Sequence, residues 1–261
     1  MDPCRFLQDD GFLQNFIYYM NLPEIRYATI HKFFRTNKKV QWWGTFYVSG
    51  PKSRIIVNRW NSDTIMQPLS IFFEGFAKQL QNNKLNLFSI CYQYEGNKVH
   101  YISEIYNAQT KQLIHFDPGV SLYEHGQQTI IPTWERQFRK YRLLKKAKEI
   151  GMCTSYRWHG KQMGVQFDES NPIFPADAFC QTWTLFLFYR LSLDIDDLSF
   201  LKNWCAIPPS KRKLFLISNF IMPLLMYQPK HYQNICKMMR KGECTSLALL
   251  YNKIENCFAK K

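Results

Sequence analysis

The sequence predicts an α+β fold, in which a small antiparallel meander packs against helices. Three consecutive segments have the pattern of β-strands, and two short turns join them, which is typical of a meander. Helix-like segments come before and after this group of strands. Grouped strands flanked by helices indicate an α+β fold and argue against an alternating βαβ sheet.

The helix before the meander covers residues 68–82, where Pro68 suits the first turn and Phe72 and Phe76 recur at helical spacing. The turns of the meander have the sequences EGNK and NAQT, which are rich in turn-forming residues. The three predicted strands cover residues 86–94, 98–106 and 111–116.

After the meander we expect a basic helix over 132–150 that ends at Gly151, a strand within 153–167, and an apolar helix over 178–193. The last 65 residues are expected to be mostly helical. No linker rich in Pro, Gly or Ser divides the chain. We therefore expect one compact domain over 61–261, with residues 1–60 as an N-terminal extension packed on its core.

The composition supports a large hydrophobic core and a strongly basic surface. Of 261 residues, 46% are hydrophobic and 16% are aromatic, which argues against a disordered chain. The 34 Lys and Arg residues outnumber the 20 Asp and Glu residues, so the formal net charge is +14. Such a charge favours anionic partners, whether nucleic acid, an acidic membrane or an acidic protein.

The apolar run over 214–227 predicts a buried helix bent at Pro223 and no membrane span, because a span needs about 20 apolar residues. The first residues, MDPCRFLQDD, contain no secretory signal, so we expect an intracellular protein whose eight cysteines are reduced. Cysteine and histidine spacings fit no zinc or other metal motif, and no nucleotide-binding motif is present. We expect no cofactor.

Cys180 is the strongest candidate for a catalytic nucleophile. It follows Asp177, a suitable helix cap, at the start of the apolar helix. The N-terminus of a helix carries a partial positive charge and favours the thiolate, which is the nucleophilic form of cysteine. The alternative is that Cys180 is a buried core cysteine of a hydrophobic helix.

His100 and Asp117 are the candidate base and its orienting acid. His100 lies near the start of the second strand, and Asp117 ends the third strand in the sequence FDPG. These two positions come close together in an antiparallel hairpin, so Asp117 could fix the imidazole tautomer. The alternatives are a hydrogen-bonded strand histidine and an aspartate that forms a turn before proline.

The order of these residues resembles the adenovirus-protease and Ulp1-like cysteine peptidases, and most of all their divergent members in large DNA viruses. That pattern has a strand histidine, an acidic residue before proline, a glutamine, and Cys-x-x-Trp at the start of the central helix. The sequence departs from cellular members at Tyr101, where they usually have Trp, and in the longer interval before the cysteine. The matching residues are His100, Asp117, Pro118, Gln166, Cys180 and Trp183.

The resemblance implies a papain-like fold over residues 61–261 and acyl transfer by Cys180, with His100 as the base. It also implies that Gln166 and the backbone N–H of Cys180 stabilise the oxyanion, with Gln162 and Gln181 as alternatives to Gln166. The implied partner is a protein substrate, either a viral polyprotein or a ubiquitin-like conjugate. A viral source would place the protein in the host cytoplasm or the virion.

The densest group of positive charges lies in the predicted helix over 132–150. Positions 135, 139, 142 and 146 would share one face of that helix. This face could contact the phosphates of DNA or RNA, which gives a second hypothesis: a nucleic-acid-binding virion or replication protein on an inactive peptidase-like fold. The alternative is a solvated helix face. The candidate contacts are Arg136, Arg139, Lys140, Arg142, Lys145 and Lys146.

Overall fold

The computed structural model describes residues 34, 37–50, 55–59, 66–94, 98–119, 130–158, 161–166, 180–193, 198–216 and 219–220. The chain divides into two compact units, Asn37–Arg212 and a second unit formed by the residues on either side. The strands, the helices α1 to α4 and the candidate site all lie in Asn37–Arg212.

The described residues of this unit form a seven-stranded mixed sheet in the order β3-β2-β1-β4-β5-β6-β7. Strand β1 is parallel to β4, and β7 is parallel to β6, whereas the other neighbours are antiparallel. The strands are β1 Val40–Ser49, β2 Ile56–Arg59, β3 Gln67–Pro68, β4 Leu85–Tyr94, β5 Lys98–Asn107, β6 Gln112–Phe116 and β7 Lys146–Ile150.

The predicted meander is confirmed, because β4, β5 and β6 match the three predicted strands to within one residue and pair antiparallel. The sheet around them is larger than the small meander that the sequence predicts. The boundary expected at residue 60 falls inside this sheet, since β1 and β2 lie before it and β3 lies after it. The register of β1 against β4 shifts between Trp42 and Thr45. The shift lies at Gly44, whose φ is 86°, and an irregularity of this kind bends a strand.

The described helices are α1 Leu69–Gln79, α2 Ile131–Lys140, α3 Cys180–Leu193, α4 Phe200–Ala206 and α5 Arg212–Leu216. The helices predicted over 68–82 and 178–193 are confirmed by α1 and α3. Asp177 and most of 214–227 lie outside the described residues, as does most of the C-terminal segment expected to be helical. None of the helices in the described part of the chain is long and apolar enough to span a bilayer.

The helix predicted over 132–150 is wrong beyond Lys140. Arg142 has a φ of 58°, and the backbone N–H of Leu143 donates to the carbonyl of Phe138 at 2.9 Å, which ends α2. The chain then forms β7 at the edge of the sheet, with Lys146 and Lys148 exposed. An exposed edge strand needs no apolar alternation, so the polar sequence of β7 has no strand pattern and predicts the end of a helix instead. The expected basic face at 135, 139, 142 and 146 therefore does not exist.

Helices α1 and α2 cover one face of the sheet. Phe73 and Phe76 of α1 and Trp134 and Phe138 of α2 are 0 to 5% exposed and belong to one core cluster with the strand side chains. Phe46 of β1 stacks on Trp134 with ring centroids 5.8 Å apart. This aromatic layer holds β5 and β6 rigidly beneath α2.

Helix α3 packs on the opposite face of the sheet. Cys180 at its first position shares a buried cluster with Cys91 of β4 and Tyr101 of β5. Further along α3, Phe186 stacks on Trp204 of α4 at 4.6 Å. The side chains of α3 are buried on almost every side of the helix, so the residue at its N-terminus is held in a fixed position.

The strand predicted within 153–167 is a hairpin of β8 Met152–Trp158 and β9 Lys161–Gly164. A disulfide joins Cys153 of β8 to Cys205 of α4, with Cα atoms 4.9 Å apart. This bond departs from the expectation of eight reduced thiols. The two cysteines are 52 residues apart, and only the packing of α4 on β8 brings them together.

Candidate active site

A buried hydrogen bond joins His100 of β5 to Asp117, which follows β6. The imidazole Nε2 lies 2.7 Å from Asp117 Oδ1, and both side chains are fully buried. Asp117 Oδ1 also accepts the backbone N–H of Gly119 at 2.8 Å. The carboxylate is thus held by its own turn and fixes the orientation of the imidazole ring, leaving Nδ1 as the nitrogen for a further partner.

The thiol of Cys180 interacts with His100 and is one of the groups that raise the pKa of the imidazole. Burial alone lowers the pKa of His100, but the charge and hydrogen bond of Asp117, together with Cys180, outweigh burial and raise the pKa to about 9. The imidazolium form is therefore stable at neutral pH, next to a thiol. The structure brings Cys180, His100 and Asp117 together as a Cys–His–Asp arrangement.

The position of Cys180 follows from the packing of α3 against the sheet. Cys180 opens a helix of 14 residues and is 6% exposed. Thr184 Oγ1 donates to the carbonyl oxygen of Cys180 at 2.9 Å, which fixes the first turn. Cys180 therefore lies in the turn that carries the partial positive charge of the helix N-terminus.

Gln166 lies on the turn after β9, beside the acid of this arrangement. Its backbone N–H donates to the carbonyl of Pro118 at 2.9 Å, and its side chain is 1% exposed. Of the two alternatives, Gln181 is the second residue of α3 and is buried, while Gln162 lies on β9. Gln166 is thus tied directly to the Asp117–Pro118 turn.

Gly151, between β7 and β8, allows a close approach to Asp117. Its φ is 109°, and a Cβ built on it would lie 2.8 Å from the Asp117 carbonyl oxygen and 3.0 Å from Phe116. Both facts require glycine at this position. The sequence indicated a helix end at Gly151, whereas the structure gives this glycine a packing role at the site.

A second buried cluster of charges lies on the same two strands. His115 Nδ1 of β6 is 2.5 Å from Glu104 Oε2 of β5, and His115 Nε2 is 3.1 Å from Glu135 Oε1 of α2. Burial lowers the pKa of His115, but Glu104 and Glu135 outweigh it and raise the pKa to about 10. Burial also raises the pKa of Glu104, against the attraction of His115.

The sequence interpretation did not single out Glu104, His115 or Glu135 as a group. A signal was present, because Glu104 and His115 are charged residues at inward positions of two apolar strands. The short turn between β5 and β6 also places them opposite each other. The contribution of Glu135 from α2 has no such signal in the sequence.

The residues predicted to contact nucleic acid surround the end of α2 without forming one helix face. They lie on three different elements: the helix α2, the turn after it and strand β7. Arg139 donates to Glu135 at 3.4 Å, within the same helix. All six side chains are exposed, namely Arg136, Arg139, Lys140, Arg142, Lys145 and Lys146.

Within the described part of the chain, no three His, Cys, Asp or Glu side chains are placed to hold a metal ion. Three protein groups around the candidate site are available for chemistry. These are a thiol at a helix N-terminus, a histidine that stays protonated at neutral pH, and a carboxylate that orients the histidine. Such a set suits nucleophilic attack followed by proton transfer.

No protein-family model and no curated protein matches this sequence. Two solved structures are weakly similar in fold. ChlaDub1 from Chlamydia trachomatis is 13% identical, with a TM-score of 0.35 over 60% of this chain and 69% of that chain. The effector protein RavZ of Legionella pneumophila is 10% identical, with a TM-score of 0.29 over 87% of this chain and 71% of that chain. Similarity this weak carries no argument, and the functional inference rests on the side chains.

Proposed function

We propose that this protein is a cysteine peptidase in which Cys180 attacks a peptide or isopeptide carbonyl. The observation that carries the proposal is the position of His100, which hydrogen-bonds Asp117 through Nε2 and whose pKa is raised, against burial, by Asp117 and by the thiol of Cys180. A buried histidine between a carboxylate and a thiol at a helix N-terminus is the arrangement needed to activate a nucleophilic cysteine.

In the proposed reaction Cys180 reacts as the thiolate, and His100 carries the proton. The sulfur then forms a bond to the carbonyl carbon, and the carbonyl oxygen takes the negative charge. The backbone N–H of Cys180 and the side chain of Gln166 are proposed to stabilise this oxyanion. The support for Gln166 is its hydrogen bond to Pro118, the neighbour of Asp117.

The C–N bond of the substrate then breaks, and His100 gives its proton to the leaving amine. A water molecule, deprotonated by the now neutral His100, attacks the carbonyl carbon of the acyl-enzyme. The C–S bond then breaks and the carboxylic acid is released, which restores the thiolate and the protonated ring. Asp117 keeps the ring oriented through both steps, because its carboxylate accepts the Nε2 hydrogen bond and favours the protonated ring.

The finer part of the proposal is a papain-like peptidase of the Ulp1 and adenovirus-protease type. The support is the chain order of His100, Asp117, Gln166 and Cys180, together with the hydrogen bond of His100 to Asp117 and the backbone bond of Gln166 to Pro118. The proposed substrates are a viral polyprotein or a conjugate of a ubiquitin-like modifier. Ubiquitin and SUMO with a C-terminal vinyl methyl ester test the second class, since either probe would become covalently attached to Cys180.

The decisive test is alkylation of the full-length protein with iodoacetamide at pH 6.5, with the modified residues mapped by mass spectrometry. Cys180 is expected to react first. Cys91 is the matched control, because it is also a buried free thiol in the same cluster but lies within strand β4 and not at the start of a helix. Equal labelling of the two thiols would contradict the proposal, as would labelling of Cys180 that the substitution His100→Ala leaves unchanged.

The pH dependence gives a second test of the same pair. The pKa of His100 is raised to about 9, so the ring is protonated below that pH and loses its proton above it. We expect hydrolysis by the full-length protein to decline as pH rises through about 9. In Asp117→Asn the carboxylate charge is lost and burial lowers the pKa of His100, so the decline moves to lower pH. An unchanged decline would show that another group causes it.

A second candidate function is binding of a polyanion such as DNA or RNA. The observation that favours it is the group of six exposed basic side chains around α2 and β7, from Arg136 to Lys146. Affinity for a duplex is expected to fall with salt, with a log–log slope of about −0.9 for each phosphate neutralised. Lys145→Glu combined with Lys146→Glu should reduce that slope. Absence of binding at low salt would remove this candidate.

A further inference from the structure

We propose that Arg212 is a positioning residue for oxyanion stabilisation, because it holds the hairpin that carries Gln166. This inference rests on the proposed function. Arg212 lies at the start of α5 and is 1% exposed, which is rare for an arginine.

The guanidinium of Arg212 joins two separate parts of the fold. Its Nη1 donates to the carbonyl of Gly164 at 3.0 Å, and its Nη2 donates to the carbonyl of Cys205 at 3.2 Å. Its Nε donates to the carbonyl of Ile207 at 3.0 Å. Gly164 ends β9, whereas Cys205 and Ile207 lie at the end of α4, so one planar group fastens the hairpin to that helix.

The bond to Gly164 matters because Gln166 is only two residues further along the chain. Val165, between them, is fully buried, so this short segment has little freedom to move independently. Gln166 is held from the other side by the carbonyl of Pro118. The segment that presents Gln166 is therefore fixed between Arg212 and the Asp117–Pro118 turn.

The proposed nucleophile with its base and the proposed oxyanion donor lie on different elements of the fold. Cys180 and His100 lie on α3 and β5, and the hydrogen bond that orients His100 comes from Asp117. Gln166 lies on the hairpin. A change at Arg212 should therefore weaken stabilisation of the oxyanion while leaving the nucleophile intact. A merely structural arginine would affect both together.

Two reactions of the full-length protein distinguish these effects. Hydrolysis of p-nitrophenyl acetate passes through a tetrahedral oxyanion, whereas alkylation by iodoacetamide does not. In Arg212→Lys, which keeps the charge but loses the planar fork, we expect kcat for the ester to fall by about 10-fold to 10²-fold, less than the roughly 10²-fold to 10³-fold lost when an oxyanion donor is removed outright. We expect KM and the alkylation rate of Cys180 to stay within about twofold of the original protein.

The substitution Gln166→Ala allows a double-mutant test of whether Arg212 acts through Gln166. If Arg212 acts through Gln166, Arg212→Lys should have almost no further effect on ester hydrolysis in the Gln166→Ala protein. The matched control is Arg190→Lys, which changes an exposed arginine on α3 that lies against Phe200. It should leave both reactions unchanged.

A second variant covers the case in which Arg212→Lys fails to fold. Arg212→Gly leaves a space for free guanidinium, and millimolar guanidinium should restore ester hydrolysis, while equal concentrations of sodium chloride should not. The inference is overturned if Arg212 variants keep full ester hydrolysis, if they lose alkylation in proportion to hydrolysis, or if the loss is undiminished in the Gln166→Ala background. Lack of Cys180-dependent ester hydrolysis in the unsubstituted protein would instead overturn the proposed function.

Discussion

Strands β5 and β6 carry two buried pairs of a histidine and a carboxylate, and the two pairs differ in their third partner. In one, Asp117 hydrogen-bonds His100, which interacts with the thiol of Cys180 on α3. In the other, Glu104 holds His115, which bonds Glu135 on α2. The pKa of the histidine is raised in both pairs.

The comparison shows that a perturbed histidine does not by itself identify a catalytic group. Both histidines are buried, and both keep a proton at neutral pH because a carboxylate outweighs the effect of burial. Only His100 has a thiol, that of Cys180, as its further partner. The second partner of His115 is another carboxylate, that of Glu135, so His115 joins the sheet to α2. No nucleophile is among these partners.

The largest expected difference between the pairs is in catalysis. Replacing Asp117 by Ala frees the His100 ring and removes the charge that favours its protonated form. We expect kcat for p-nitrophenyl acetate to fall by about 10²-fold to 10⁴-fold, the range for general acid–base catalysis. Glu104→Gln, the matched change in the other pair, should alter kcat by less than about threefold. Equal losses in the two variants would show that both pairs serve the reaction.

The next largest difference is in stability. Glu104→Gln leaves His115 buried with less negative charge around it, and breaking a buried ion pair typically costs about 3–5 kcal/mol. The free energy of unfolding can be measured by urea titration. Replacing both residues, Glu104→Leu with His115→Leu, should recover most of the loss because no buried charge then lacks its partner. A double variant as unstable as Glu104→Gln would contradict this account.

A smaller effect is expected at Gly151, which lies near both pairs. Gly151→Ala would force a side chain into a backbone with φ of 109° and against the carbonyl of Asp117. A non-glycine residue in a left-handed conformation costs about 1–2 kcal/mol, and the close contact adds to this. We expect lower stability together with slower ester hydrolysis. Gly75→Ala, in open space on α1, is the control and should be neutral or slightly stabilising.

The smallest effect is expected at Arg139, the partner of Glu135 in the cluster around His115. Arg139 lies 3.4 Å from Glu135, and its side chain is 59% exposed, so the pair is screened by solvent. Arg139→Ala should change the free energy of unfolding by less than about 1 kcal/mol. A larger loss in urea titration would indicate that the charge of Arg139 acts on the buried His115 through Glu135.

The sequence alone determined the local elements of the site. The alternation of β4, β5 and β6 and their short turns fixed both strand positions and pairing, because side chains on a strand repeat every two residues. That register places His100 and Asp117 on the same face. The apolar run after Cys180 likewise predicted α3, and with it a cysteine at the start of a helix.

Tertiary structure decided the features that depend on residues far apart in the chain. The edge position of β7, parallel to β6, overrode the helical pattern of the basic segment after Lys140. The contact of Arg212 with Gly164 spans 48 residues, and the Cys153–Cys205 disulfide spans 52. Sequence periodicity reports which side of one element is buried, but it does not report which distant element covers that side. For this reason the partners of His115 and the support of Gln166 appear only once the helices are packed on the sheet.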